Sequence, residues 1–323
     1  MKRTIIIFAL FALYSIITDS SAHAQFWHAL PAIDSSTRNG IGNVGDATFS
    51  NDEKRVFYLS GGNVFSLVIA DKYSRITATP GMTPTQVTKF TDRPIVRFVH
   101  LTNRPEIIFM RLGENGKDYH IYKQKDDGSD QPQDLSGDAN AEIIGLSYNG
   151  RYVYYTANKV HKDKVDCYRY DTQQYTSDLI LPNDRNWRVL SWTRDQKKIL
   201  IARPNPGAAL MLYDIESTER TRLGDPGNTG SFMGALLDPA GNLVMSASAW
   251  TDYSPNGKYQ IFDDGDKWRV HDIATNTDLS LPAAARPLAI APKETMLVYS
   301  DGGKIYLYEM VKKATVELAA VKQ

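Results

Sequence analysis

The amino-acid sequence predicts an all-β fold, a six-bladed β-propeller with four-stranded antiparallel blades. Three observations predict it: a strand–turn–strand pattern occurs six times, its copies lie 45 to 53 residues apart, and two further short strands follow most of them. Four short strands per unit at such a period are typical of propeller blades. The 323-residue chain has no long apolar stripe of helical period beyond its first residues, so we expect few helices.

The repeated hairpin is clearest in "LSYNGRYVYYTAN" (146–158), where Asn149-Gly150 supplies a tight turn between two apolar runs. Asn-Gly favours such turns because glycine adopts a positive φ without strain. The residues equivalent to Ser147 are Ser50, Thr102, Thr193, Asp238 and Ala291. The sixth residue after each of these is aliphatic, namely Val56, Ile108, Val153, Ile199, Val244 and Leu297. The matching columns indicate a true repeat.

Two more strands complete the unit. The third strand carries alternating aromatic residues and often ends in an acid, as in "CYRYD", "LMLYD", "WRVHD" and "IYLYE". The fourth strand is short, as at 85–90, 133–136, 176–181 and 315–319. We therefore place the propeller at residues 41–319, with blades at about 41–90, 93–137, 140–182, 186–225, 229–282 and 285–319.

The fifth blade is the longest of the six. Its segment "TDYSPNGKYQIFDDGD" (251–266) is interpreted as an inserted loop or hairpin between the middle strands, either functional or decorative. A lead segment, residues 25–40, precedes the first blade. It either adds a strand to the last blade or lies over one face.

The N-terminus predicts a signal peptide at residues 1–24. Lys2 and Arg3 precede an apolar run, and Ala22-His23-Ala24 forms a small-x-small cleavage site. The alternative is an N-terminal membrane anchor, although the run is shorter than the roughly 20 residues of a span. We expect an exported protein, periplasmic or secreted, that begins at Gln25. The single cysteine, Cys167, excludes an intramolecular disulfide and is expected at a buried strand position.

Three segments carry a family resemblance: "SYNGRYVYYTAN", "YSPNGKYQIF" and "LYDIESTERTRL". They resemble TolB-like repeats and the N-terminal β-propeller of the prolyl oligopeptidase and dipeptidyl peptidase IV family. In that peptidase family the propeller is a non-catalytic partner of an α/β-hydrolase domain. We expect that domain to be missing here, and "GLSYNG" (145–150) has the wrong spacing for the G-x-S-x-G nucleophile elbow. The sequence therefore predicts no catalytic serine.

Charge and motif spacing give no support to several other classes. The formal net charge is zero, whereas nucleic-acid or anionic-membrane binding usually shows a basic excess. The histidines lack zinc-site spacing. The acidic turns at 125–134 and 263–266 do not follow the calcium-loop order. We predict no metal and no cofactor.

One column near the start of the inner strands is basic. Five residues before each reference position stand Gly45, Arg97, Glu142, Arg188, Met233 and Arg286. Same-column residues sit at one height around a propeller axis, so Arg97, Arg188, Arg286 and Glu142 would share a ring. The guanidinium group matches the oxygens of a carboxylate or phosphate. We predict a ligand-binding channel mouth, and ordinary surface charge is the alternative.

The favoured function is an exported, non-catalytic binding module for a protein or peptide, with a carboxylate-bearing ligand as the candidate guest of the channel mouth. The first alternative is an enzyme with its site in the channel, lactonase- or lyase-like. The second is a stand-alone or truncated relative of an exported prolyl oligopeptidase-family serine peptidase. The fold does not choose among them, since function lies in sites built on a fold.

Overall fold

The computed structural model describes residues 47–69, 83–182, 187–203, 209–224, 235–238, 240–245 and 251–320. The predicted signal peptide and lead segment lie outside these residues. The described chain is all β, and it forms six four-stranded antiparallel blades arranged as a six-bladed β-propeller, as predicted. No helix within the described ranges is long and apolar enough to cross a membrane.

Each blade is a meander of four consecutive strands. Blade 1 contains β1 (Ala47–Phe49), β2 (Arg55–Ser60), β3 (Asn63–Val68) and β4 (Thr85–Gln86). Blade 2 contains β5 (Ile95–His100), β6 (Glu106–Leu112), β7 (Tyr119–Lys125) and β8 (Gln133–Asp134). Blade 3 contains β9 (Ala141–Leu146), β10 (Tyr152–Ala157), β11 (Asp166–Asp171) and β12 (Thr176–Leu181).

The second half of the chain repeats this order with one addition. Blade 4 contains β13 (Arg188–Trp192), β14 (Lys198–Arg203), β15 (Ala209–Asp214) and β16 (Arg220–Gly224). A two-stranded sheet follows, β17 (Ala235–Leu237) and β18 (Leu243–Met245). Blade 5 contains β19 (Thr251–Tyr253), β20 (Tyr259–Asp263), β21 (Trp268–Asp272) and β22 (Thr277–Asp278). Blade 6 contains β23 (Arg286–Ile290), β24 (Met296–Asp301), β25 (Lys304–Glu309) and β26 (Ala314–Ala320).

The interpretation of residues 251–266 as an insertion was wrong. This segment supplies β19, β20 and the turn between them, which are the first half of blade 5, whereas the hairpin at 235–245 forms its own two-stranded sheet. The turn "SPNGKY" (254–259) has the same residue pattern as "SYNGRY" (147–152). This turn lies only 16 residues after Asp238, whereas the other copies are about 45 residues apart, so the repeat spacing did not predict it.

The turns between the first two strands share a hydrogen-bonded core. In blade 3, Ser147 Oγ accepts a hydrogen bond from Tyr152 N at 2.9 Å and donates to Asn149 Oδ1 at 3.0 Å. Ser50 and Thr193 make the same pair of contacts in blades 1 and 4. Short polar side chains that bond to nearby backbone favour turns over continued strands. This local chemistry explains why the repeat is visible in the sequence.

Blade 2 departs from this pattern. Leu101, rather than Thr102, donates its backbone N–H to the residue five positions later, as Ser147 does in blade 3. The reference residue assigned to blade 2 was therefore one position too late. The turn lacks the serine and aspartate pattern, so the sequence did not fix its position.

Stability comes from apolar clusters between neighbouring blades. Tyr154 of blade 3 stacks on Trp192 of blade 4 with ring centroids 4.4 Å apart, and both are buried. Cys167 belongs to the same cluster and is a buried free thiol, as expected, and burial raises its pKa. Interlocked side chains of this kind give the ring its rigidity.

The ring closes between blade 1 and blade 6. Phe49 and Val56 share a core cluster with Val298 and Leu307. Above this cluster, Glu53 Oε1 accepts a hydrogen bond from Lys293 N at 2.5 Å. Within the described residues each blade is one continuous segment, so this junction joins blades without an exchanged strand.

Candidate ligand site in the central channel

The four predicted channel residues lie at one level of the blades. Arg97 pairs with Met110, Glu142 with Thr156, Arg188 with Ala202 and Arg286 with Ser300. Each of these partners stands nine residues after the reference residue of its own blade, once blade 2 is counted from Leu101. β-Bulges in the inner strands produce this match, since the bulge of blade 2 lies before Arg97 and those of blades 3, 4 and 6 lie after the predicted residue.

Two of the four residues are close together. Arg97 Nη1 donates to the Ile143 carbonyl of the neighbouring blade at 2.5 Å, so its side chain crosses from blade 2 to blade 3. Glu142 precedes Ile143 and is half-buried. Burial raises the pKa of Glu142, and the positive charge of Arg97 opposes that shift. Arg97 and Glu142 thus form an oppositely charged pair at the start of two inner strands.

The other two residues begin their strands with partial exposure. Arg188 and Arg286 are both half-buried. Trp187, next to Arg188, is buried beneath the guanidinium groups of Arg203 and Arg220, each 5.4 Å from its ring centroid. Trp187 belongs to the apolar cluster between blades 3 and 4, so it supports the strand that begins at Arg188. Gly45 and Met233 of the predicted column lie outside the described residues.

A second cluster lies at the opposite end of the inner strands. Arg194 of blade 4 donates to the Pro255 carbonyl of blade 5, and its guanidinium lies 5.7 Å from the ring centroid of Tyr148 in blade 3. The turns of three blades therefore converge there. Asp252 and Tyr253, from the inner strand of blade 5, lie within electrostatic range of Tyr148.

Asp252 is the most perturbed acid of this cluster. Its side chain is solvent-exposed, yet desolvation by the surrounding protein raises its pKa to about 6, against a hydrogen bond from Tyr253 N at 2.7 Å. An accessible carboxyl group with much protein around it is typical of a concave site. Sequence reasoning missed Asp252 because it lies in the supposed insertion. The signal that could have found it was the turn "SPNGKY" directly after it.

A groove lies between blades 3 and 4 on the same face. Its volume is about 480 Å³. It is lined by Asn149, Arg151, Tyr152, Arg169, Asp195, Gln196, Lys197, Ile215 and Glu216. Arg151 is paired with Asp171 at 2.9 Å, and the acids on the blade 4 side offset the remaining cations. The groove therefore presents no strong net charge to a ligand.

Metal-ligating residues do not cluster in the part of the chain that the structure describes, where no group of three or more His, Cys, Asp or Glu could hold a metal ion. The most buried histidine, His100, instead contacts Asp126 at 2.9 Å, and Arg55 reaches the same carboxylate at 2.7 Å. Phe57 stacks on the His100 ring at 4.4 Å. This network fills the junction between blades 1 and 2.

Known proteins resemble this chain in fold. No family model and no curated protein matches it. The propeller domain of the Trilobed protease from Pyrococcus furiosus, described as having an open velcro topology, gives a TM-score of 0.57 at 9% identity, covering 88% of this chain and 100% of that domain. An oligogalacturonate lyase from Vibrio parahaemolyticus gives 0.50 at 12% identity, covering 87% of both chains.

TolB from Acinetobacter baumannii is also similar, with a TM-score of 0.43 at 13% identity over 73% of this chain, which spans about half, 53%, of that protein. At these identities the likeness to solved structures concerns the fold alone, a β-propeller. A membership in the prolyl oligopeptidase and dipeptidyl peptidase IV family does not follow from it.

Proposed function

We propose that the protein is an exported, non-catalytic binding module that holds a carboxylate-bearing segment of a peptide or protein partner at the end of its channel. The observation that carries this proposal is the common ladder level of Arg97, Glu142, Arg188 and Arg286. Arginine at three of the six positions of this column concentrates positive charge around one opening. Export is part of the proposal and rests on the N-terminal sequence pattern. The proposed relation of this protein to peptidase propellers rests on the three sequence motifs quoted above.

Within this proposal the four residues of the ring have different roles. Arg97 is engaged by the Ile143 carbonyl and lies beside Glu142, so it fixes the wall. Arg188 and Arg286 supply the charge-assisted hydrogen bonds to the carboxylate. Each such bond contributes about 1.5–3 kcal/mol. Glu142 is placed to receive a ligand amine, which makes a zwitterionic peptide end a suitable guest.

The test is calorimetric titration of short peptides that have either a free or an amidated C-terminus. We expect the free carboxylate to bind more tightly, and Arg188→Ala to weaken it about tenfold or more. Lys312→Ala is the matched control, because Lys312 is an exposed cation paired with Glu309 in an outer turn. Equal affinities for both peptides, or equal effects of both substitutions, would refute the proposal.

A second candidate is a channel-site enzyme, lactonase- or lyase-like, and the pKa of Asp252 favours it. A carboxyl group with a pKa of about 6 can donate or accept a proton near neutral pH. Assays on lactones and oligogalacturonates would then show a turnover that titrates near pH 6 and disappears in Asp252→Asn. Asp238→Asn is the control. Turnover that survives Asp252→Asn, or none at all, excludes this candidate.

A further inference from the structure

The loop between β10 and β11 of blade 3, residues 158–165, exposes apolar and basic side chains side by side. Val160 is 61% exposed and Val165 is 43% exposed. His161, Lys162 and Lys164 are exposed between them. Exposed apolar side chains that are rimmed by polar residues can form an interaction surface.

The loop is held in one shape. Asn158 Nδ2 donates to the Lys162 carbonyl at 3.1 Å, which closes the loop across its width. Lys162 Nζ donates to the Asp138 carbonyl at 3.1 Å, and Lys164 N donates to the His161 carbonyl at 3.2 Å. A preorganised loop loses less conformational entropy when a partner binds. The exposure of Val160 is therefore built into the loop.

The base of the loop adjoins the proposed channel mouth. Asn140 N donates to Asn158 Oδ1 at 2.8 Å, and Asn158 N donates to the Asn140 carbonyl at 3.2 Å. Ala157, the last residue of β10, pairs with Ala141, the neighbour of Glu142. The loop and the inner-strand arginines thus lie at the same end of the blades.

Charge indicates the chemistry of the occupant. The loop contains three lysines and one acid, Asp163, although the whole chain has a net charge of zero. Lys159 packs over Tyr155 and Tyr168 and donates to Tyr155 Oη at 2.8 Å. The loop therefore has a local excess of positive charge. An acidic segment is the complementary partner.

We infer that the 158–165 loop is a second docking element, which receives an acidic protein segment through an apolar side chain packed on Val160 and carboxylates bound by Lys162 and Lys164. This inference rests on the proposed function, since the same partner would place its carboxylate terminus in the channel mouth. An extended segment of about twelve residues spans up to about 40 Å.

The experiment uses one labelled peptide of about twelve residues, composed of Glu, Asp and Leu. Its versions carry a free or an amidated C-terminus, and Leu or Ser at the apolar positions. Fluorescence anisotropy measures binding to the full protein and to its Val160→Asp variant. Val311→Asp is the matched control, because Val311 is 78% exposed in the β25–β26 turn of blade 6. Circular dichroism verifies that both variants fold.

We expect Val160→Asp to weaken the Leu peptide about tenfold, Val311→Asp to leave it unchanged, and the Ser peptide to be insensitive to both. Lys162→Gln combined with Lys164→Gln should weaken both peptides. No binding to the wild type, or equal effects of the two valine substitutions, would overturn the inference.

The two sites fail separately. If Arg188→Ala and C-terminal amidation weaken binding but Val160→Asp does not, the loop inference is wrong and the proposed function stands. If only the loop variants weaken binding, the loop inference holds and the proposed binding at the channel mouth is wrong.

Vesicles of phosphatidylserine and phosphatidylcholine test a second kind of partner. If Val160→Asp abolishes binding to vesicles but does not change binding to the peptides, the partner is a lipid surface and the inference of an acidic protein segment is wrong.

Discussion

The turn residues show how single side chains set the spacing between neighbouring blades. One position of the turn between the first two strands has a positive φ in five blades. In blades 1, 3, 4, 5 and 6 this residue is Glu53, Gly150, Gln196, Gly257 and Glu294, respectively. Three of these five residues are not glycine, so this backbone conformation alone does not demand glycine. Gly150 is different because a Cβ there would lie 1.5 Å from Thr102 Oγ1 in blade 2.

We expect Gly150→Ala to lower the free energy of unfolding by about 3 kcal/mol, from backbone strain together with overpacking against Thr102. Gly116→Ala is the control, since Gly116 also has a positive φ of 66° but no atom within 4 Å of an added Cβ. It should cost only about 1 kcal/mol. Urea denaturation measures both values. If both substitutions lower the free energy of unfolding equally, Thr102 of blade 2 moves aside without cost and the overpacking argument is wrong.

Asp252 gives a pH-dependent prediction. Its pKa is about 6 in the folded protein against an ordinary value of 3.8, so the folded state holds the proton more tightly. Above pH 6 the ionised carboxylate therefore lowers the free energy of unfolding by its full amount. This loss becomes smaller as the pH falls from 6 to 3.8. Because the side chain is exposed, we discount the cost to about 1 kcal/mol.

Asp252→Asn should accordingly raise the melting temperature at pH 8 and change it little at pH 4. Asp238 provides the opposite case: desolvation opposes ionisation, but hydrogen bonds from Asn242 keep its pKa lowered. Asp238→Asn should therefore destabilise the protein at pH 8. A thermal unfolding series across pH decides the matter, and a stabilisation of both variants would contradict the assigned electrostatics.

At the scale of the element, the hairpin repeat could be predicted because its signal is local. Serine, aspartate and Asn-Gly pairs define turns within six residues, and the apolar columns follow the alternation of a strand. The two-stranded sheet at 235–245 could not be predicted from the repeat period. A period of about 45 residues places this hairpin and the next one, at 251–263, in a single blade. The register of blade 2 failed for a related reason, because its turn contains Pro105 in place of the usual polar pattern.

The reassigned hairpin makes its own prediction. Replacing residues 251–266 by a flexible Gly-Ser linker removes β19 and β20, which would leave β21 without its neighbour on the channel side. We expect a chain that does not fold, whereas a removable insertion would leave the propeller intact. Replacing the exposed turn 114–117 by Gly-Ser residues is the control. A cooperative unfolding transition in the 251–266 variant would contradict the blade assignment.

At the scale of the whole molecule, the geometry of the candidate channel site was predictable only in part. A column of repeat-equivalent residues brought Glu142, Arg188 and Arg286 to one level, because blade repeats convert sequence spacing into height. Arg97 reaches the same level only because the bulge before it offsets the misplaced reference residue of blade 2. Their bulges could not be predicted, since a bulge is a backbone adjustment without a residue code. The convergence of Tyr148, Arg194 and Asp252 was also hidden. It depends on contacts between turns of three blades that no spacing encodes.

Glu53 provides a polar contact at the junction between blades 1 and 6, beside the apolar cluster that they share. Glu53→Ala removes the acceptor of Lys293 N, a hydrogen bond to a charged group that contributes about 2 kcal/mol. Glu294→Ala removes the corresponding contact to Asn256 N between blades 5 and 6. Hydrogen–deuterium exchange should show faster exchange in β1 and β23 for Glu53→Ala alone. Faster exchange at the same strands in both variants would show that the junction between blades 1 and 6 has no separate role.

The junction between blades 1 and 6 also bears on the order of folding. Every blade forms from neighbouring residues, so its hairpins close short loops on a microsecond scale. The contact of Glu53 with Lys293 instead joins residues 240 positions apart. Closing a loop of that length costs about 5 kcal/mol of chain entropy if no structure precedes it. Blades that have already formed shorten the effective loop, so closure should be the last step and should take place cooperatively, with the apolar cluster and the turn contact forming together.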